Sequence, residues 1–164
     1  MFEQKMEEAL NEQVNAELWS GYIYLSMSYD MENKGYEGIT AWLTLQAKEE
    51  FKHATRIMKF IGERGGKVKL MPIDPVKQDW SAPLEAFEDA YSQEKAVTKK
   101  IDDLMSLAIE LKDYATQNML LWFVNEQVQE EVNTRTIVEK LKRIEGYPGG
   151  LYMLDKQLGK RKID

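Results

Sequence analysis

Cysteine does not occur in this 164-residue chain. Its absence excludes disulfides, thiolate nucleophiles, iron–sulfur clusters and zinc fingers together. Any metal must then sit on carboxylates and imidazole, and His53 is the single histidine. Proline is scarce: Pro72, Pro75 and Pro83 stand close together, with Pro148 alone near the C-terminus. The longest apolar run, Met119 to Val124, falls far short of the roughly 20 residues that span a bilayer as a helix. Bases are outnumbered, 22 against 28 acids, and a net charge of −6 speaks against nucleic acid as the main partner. The opening MFEQKMEEAL carries acids where a signal peptide needs a basic start and an apolar stretch. The expectation is a soluble, cytoplasmic protein with no membrane attachment. Hydrophobic residues make up 43%, enough for one core in one domain over residues 1–164.

Glycine and proline punctuate long uninterrupted segments, and those segments carry helical periodicity. The expected helices cover about Glu3–Asn33, Gly38–Arg64, Ala82–Leu111 and Asp113–Arg143, with a short fifth from Tyr147 to Leu158. In the third, Phe87, Ala90, Tyr91, Val97, Ile101, Leu104, Ala108 and Leu111 form one stripe. No segment shows strand-like alternation. Ser81, ahead of Ala82 and Pro83, reads as the third helix's N-cap. Residues 65–81 carry no helical pattern. Extended, they can reach about 50 Å, longer than a helix of about 42 Å. Two antiparallel hairpins joined by one long crossover follow, an all-α four-helix bundle. The small fifth helix is expected to pack against neighbouring subunits rather than its own bundle.

Polar residues interrupt every apolar stripe. Glu94 fills the gap between Tyr91 and Val97, while Gln46, Glu50 and His53 lie between Leu43 and Ile57. Gln127 and Glu130 follow Leu120 and Phe123, and Glu17 sits between Leu10 and Tyr24. Their heights match. Glu17 is 16 residues before Asn33, with Glu50 and His53 12 and 15 after Gly38. Glu94 is 17 before Leu111, with Gln127 and Glu130 14 and 17 after Asp113. Singly, such a histidine is more often a hydrogen-bonded core residue, and such a glutamate a snorkelling one. Four carboxylates at one depth repel, and a cation relieves them. Glu50 and His53 share a helical face at i, i+3. With Glu17, Glu94 and Glu130 they describe two adjacent metal positions bridged by Glu50. Oxygen-rich ligation with one imidazole suits iron or manganese, or zinc.

The segments Asn15-Ala16-Glu17-Leu18, Glu49-Glu50-Phe51-Lys52-His53 and Leu121 through Gln127 resemble those of the non-haem ferritins of bacteria and archaea. The resemblance runs from LNEQVNAEL to GLYMLDKQL. It implies iron storage with ferroxidase activity, oxidising Fe(II) with dioxygen in a hollow homo-oligomeric shell of 24 subunits. Glu17, Glu50 and His53 would hold the first iron, with Gln127 close by, and Glu50, Glu94 and Glu130 the second. Tyr24 matches the family's tyrosine beside the centre. Glu49 and Glu126, with Glu130, match a third, cavity-side iron position, but Gln129 stands where relatives carry glutamate. Lys52 replaces the haem-ligating methionine of bacterioferritins, which implies no haem.

A rubrerythrin-type oxidase would bring a four-cysteine domain, for which this chain has neither cysteine nor spare length. A purely structural shell subunit would lose the inward acids. A DNA-protecting cage of the same superfamily lacks the fifth helix, and the basic tail of Lys156, Lys160, Arg161 and Lys162 reads as a solvated end.

Overall fold

The computed structural model describes residues 2–162. The described residues form five helices and no strands: α1 (Gln4–Asn33), α2 (Glu37–Glu63), α3 (Pro83–Glu110), α4 (Tyr114–Arg143) and α5 (Pro148–Leu158). The helix ends follow local chemistry. Gly35 (φ 83°) and Gly146 (φ 76°) take the left-handed conformation just past α1 and α4, which glycine adopts without strain. Asp113 caps α4, its side chain accepting from the Thr116 amide. Arg64 donates to Asp113 at 2.8 Å and so ties the end of α2 to the start of α4.

Ser81 is not the cap of α3. Ala82 holds that position with an extended backbone, and Ser81 lies one residue outside. The Ser81 amide and hydroxyl both donate to Glu85 Oε2, at 2.6 and 2.7 Å. The acid in the first turn reaches back, so the contact runs opposite to a serine cap.

Two apolar clusters reveal the topology. One joins Met6 to Val14 of α1, Ile57 and Ile61 of α2, Val97 to Ala108 of α3, and Leu120 and Phe123 of α4. The other joins the opposite ends of the same helices, including Met27, Leu43, Phe87 and Leu141, and adds Leu154 and Leu158 of α5. Thus α1 and α4 run one way, α2 and α3 the other. The crossover returns along α1. Asn11 bonds Lys67 and Lys69, Ser26 bonds the Lys77 carbonyl, and Asp30 accepts from the Trp80 amide. These anchors are 19 residues apart on α1, about 28 Å of helix.

The fifth helix docks on its own bundle, contrary to the expectation that its small size sends it to neighbours. Asp155 Oδ1 accepts from the Ile39 amide at 2.8 Å and so satisfies the N-terminus of α2. A Cβ on Gly38 would stand 1.7 Å from the Asp155 carbonyl oxygen, so only glycine permits this approach. Tyr152 and Met153 still face outward.

Candidate metal centre

Between the two apolar clusters lies a polar layer. Glu17, Gln46, Glu50, His53, Glu94, Gln127 and Glu130 are each no more than 4% exposed. The helical period places them there: each sits in register with the apolar stripe of its own helix, so burying the stripe buries the acid. A close helix approach brings α1 and α2 together at this height, where a Cβ on Gly21 would meet the Phe51 ring at 2.7 Å.

Neutral donors hold the carboxylates. Gln13 donates to Glu17 at 2.7 Å, and Tyr24 donates to Glu94 at 2.6 Å. Gln46 Nε2 spans α2 and α4, donating to Glu50 and Glu130 at 2.9 Å each. Gln127 donates to Glu94 Oε2 at 3.2 Å. Among the described residues no lysine or arginine pairs with Glu17, Glu50, Glu94 or Glu130. His53 is the one basic partner, its Nδ1 3.3 Å from Glu50 Oε2 and 3.7 Å from Glu17 Oε2. Neither distance closes into a hydrogen bond: His53 Nδ1 and Glu17 Oε2 are buried without one. Unpartnered ligand atoms in a buried layer suit a cation.

Three groups bring ligand atoms within 4.8 Å of one another: Glu17, Glu50 and His53; Glu50, Glu94 and Glu130; His53, Glu126 and Glu130. The first two share Glu50, the geometry of a bridging carboxylate.

The electrostatics agree with a cation-shaped deficit. Burial pushes the Glu94 carboxyl up to about 7, against the pull of Tyr24 and Gln127. Burial, then the charge of Glu94, takes Glu130 to about 8. Burial and Glu94 also hold Glu50 well above the usual carboxylate range. Burial alone would lower His53, but the Glu17 and Glu50 carboxylates outweigh it and lift it to about 11. Protons or a metal cation can supply the positive charge that these acids call for.

Of the residues expected at a third position, Glu126 comes within 4.0 Å of His53 Nε2, while Gln129 is exposed. Glu49 belongs to none of the three groups. It accepts instead from Arg161 Nη2 at 2.6 Å. Arg161 is therefore no solvated tail residue: its side chain is 17% exposed and its guanidinium stacks on Trp42 at 4.3 Å. Three contributors escaped sequence reasoning. Gln13 carried a signal, lying four residues before Glu17 on one helical face. Gln46 was visible as a polar interruption but not as a cross-helix donor. Arg161 carried no local signal.

A helical bundle with one crossover and carboxylates converging with an imidazole at mid-height defines the ferritin-like class. The chain belongs to that family: the ferritin-like domain matches residues 7–144. It is 42% identical to the bacterial non-heme ferritin of Bacteroides fragilis over 161 residues, covering 98% of this chain and 100% of that one. With the Staphylococcus aureus bacterial non-heme ferritin it shares 37% over 164 residues, 100% and 99% of the two chains. Its structure superposes on the open pore ferritin of the hyperthermophilic archaeon Archaeoglobus fulgidus with a TM-score of 0.98 at 44% identity, covering 99% and 100%. A humanized archaeal ferritin gives 0.99 at 43% identity, covering 100% and 99%.

Proposed function

We propose that this chain stores iron and is a ferroxidase, with Fe(II) and dioxygen as substrates and an Fe(III) mineral as product. Glu17, Glu50 and His53 receive one Fe(II), with Gln127 at the edge of the cluster, and Glu50, Glu94 and Glu130 receive the other. Each Fe(II) gives one electron, so the pair reduces dioxygen by two electrons to hydrogen peroxide with uptake of two protons. The protein's part is electrostatic: anionic oxygens favour Fe(III) over Fe(II), lowering the potential of the pair. Gln13, Gln46 and Tyr24 fix carboxylate orientation, and protons displaced from Glu94 and Glu130 leave as metal enters. Tyr24, whose burial and acidic neighbours keep it firmly protonated, orients Glu94. The observation that carries the reading is the sharing of Glu50 by two buried ligand groups.

Assembly into a shell of 24 identical subunits in the cytoplasm belongs to the same reading, supported by likeness to an archaeal open pore ferritin. Aerobic addition of Fe(II) to the purified protein, followed by sizing, tests oxidation and caging together. Rapid oxidation with iron co-eluting in a large particle is expected. Iron that precipitates outside the protein at the uncatalysed rate overturns the reading.

A further inference from the structure

Gln13 is only 3% exposed, yet it lines a solvent-open cleft of about 230 Å³ between α1 and α3. Ala9 and Glu12 share the α1 wall with it, and Lys100, Asp103 and Leu107 belong to the α3 wall. At roughly 30 Å³ per water in the liquid, the cleft has room for a cation with its hydration shell. On its inner side Gln13 Nε2 donates to Glu17 Oε1 at 2.7 Å, and Glu17 Oε2 is buried with no partner. One side chain therefore touches both the cleft and an acid of the metal cluster.

The other approaches are held more firmly. A second cleft, between α3 and α4, is lined by Gln127. That amide bonds the Glu94 carbonyl, Glu94 Oε2 and Thr98 Oγ1 at 3.2, 3.2 and 3.4 Å. Between α2 and α4, Trp122 packs on His53 with ring centroids 5.4 Å apart, and Arg56 stacks on Trp122 at 4.1 Å. A guanidinium keeps its charge and repels an arriving cation. Gln13 holds Glu17 by a single bond. The cleft in front of it sets two acids, Glu12 and Asp103, against one base, Lys100.

We infer that Fe(II) reaches Glu17 from the α1/α3 cleft and that Gln13 is the gate it displaces. This rests on the reading above, in which Glu17 receives Fe(II). The Gln13 N–H favours the carboxylate of Glu17 and opposes a cation. Rotation of the side chain breaks one hydrogen bond, turns that donor away and presents the amide oxygen, which carries no proton and can face a cation. The exposed acids at the cleft raise the local cation concentration, an effect that salt screens.

Stopped-flow oxidation by the assembled protein, with Fe(II) and dioxygen varied separately, tests this. Ala9→Phe fills the cleft eight residues before Glu17 on α1. It should lower the second-order rate in Fe(II) about tenfold, with the plateau at saturating Fe(II) and the anaerobic Fe(II) affinity at parent values. Gln13→Ala opens the passage and frees Glu17, so the second-order rate should rise although the plateau falls. A residue that only orients Glu17 would lower both, and that result overturns the gate. Glu12→Gln with Asp103→Asn keeps the shape of the cleft and gives an independent reading should Ala9→Phe fail to assemble. Its Fe(II) rate should fall several-fold at low ionic strength and converge on the parent's in high salt. An unchanged second-order rate in either variant, or a slowing that follows dioxygen instead of Fe(II), overturns the proposal. A parent that fails to oxidise Fe(II) refutes the ferroxidase reading itself, a distinguishable result.

Discussion

The Tyr24 hydroxyl donates to Glu94 Oε1 at 2.6 Å, joining α1 to α3 inside the polar layer across 70 residues of sequence. That bond both orients Glu94 and favours its ionised form. Tyr24→Phe removes the donor with almost no change in shape. Hydrogen bonds to charged groups are worth about 1.5–3 kcal/mol, so Fe(II) oxidation should slow about tenfold. The deficit should be larger at pH 6 than at pH 8, since protonation of Glu94 then competes harder with metal. Stopped-flow rates at both pH values measure it, and equal rates for parent and variant would reduce Tyr24 to packing.

The metal-free protein should lose stability as pH rises from about 5 to 9. Glu94 and Glu130 titrate near 7 and 8 in the folded chain and near 4.3 when unfolded. Folding therefore takes up protons between those values, and stability falls as pH climbs through them. His53, raised to about 11, acts in the same direction: its contribution is complete below about 6.5 and lost as pH approaches 11. Bound metal reverses the trend, because ligand deprotonation favours binding at higher pH. Calorimetry after chelation, against calorimetry with Zn(II), reads both slopes. A metal-free melting temperature that rises towards pH 9 would contradict the buried-acid assignment.

The positions that sequence alone revealed share a property: they repeat within one helix. Glu94 announced itself against Tyr91 and Val97 because a 3.6-residue period exposes any polar intruder. Matching heights across short turns then gathered Glu17, Glu50, His53, Gln127 and Glu130. The crossover length likewise sufficed to order the helices. What escaped depends on distant approach. Nothing near Gly38 says that Asp155 will stand against it, so the docking of α5 could not be read from its shortness. Arg161 meets Glu49 across 112 residues, and no periodicity connects them. Ser81 misled because serine and glutamate can share a helix start in either order.

Gln129→Glu should strengthen the third cation position. Residue 129 is exposed, one position before Glu130 and three after Glu126, so a carboxylate there stands within reach of an ion held by those acids. About tenfold tighter binding of the third Fe(II), near 1.4 kcal/mol, is expected in anaerobic titration. An unchanged isotherm would mark Gln129 as a plain surface residue.

Glu94→Leu separates stability from function, and its partner Tyr24 decides the sign. Leucine continues the apolar stripe from Tyr91 to Val97 and removes one of four mutually repelling acids. Swapping buried charges for packed apolar groups is often neutral or stabilising by about 1–4 kcal/mol. The structure adds an opposing effect. Tyr24 loses its acceptor, and an orphaned buried hydroxyl costs about 1–3 kcal/mol, whereas Gln127 keeps the Glu94 main-chain oxygen at 3.2 Å. The single variant should therefore melt close to the metal-free parent. Glu94→Leu combined with Tyr24→Phe removes both the charge and the stranded hydroxyl, so the double variant should melt above the single variant and no lower than the parent. Both should oxidise Fe(II) at least about tenfold more slowly, near 1.4 kcal/mol in barrier, because α3 offers no other ligand to the second iron. Scanning calorimetry of the chelated proteins and stopped-flow oxidation supply the two readings. A double variant that melts far below the parent yet oxidises iron at the parent rate would make Glu94 a structural residue, and the second metal position would have to be rebuilt without it.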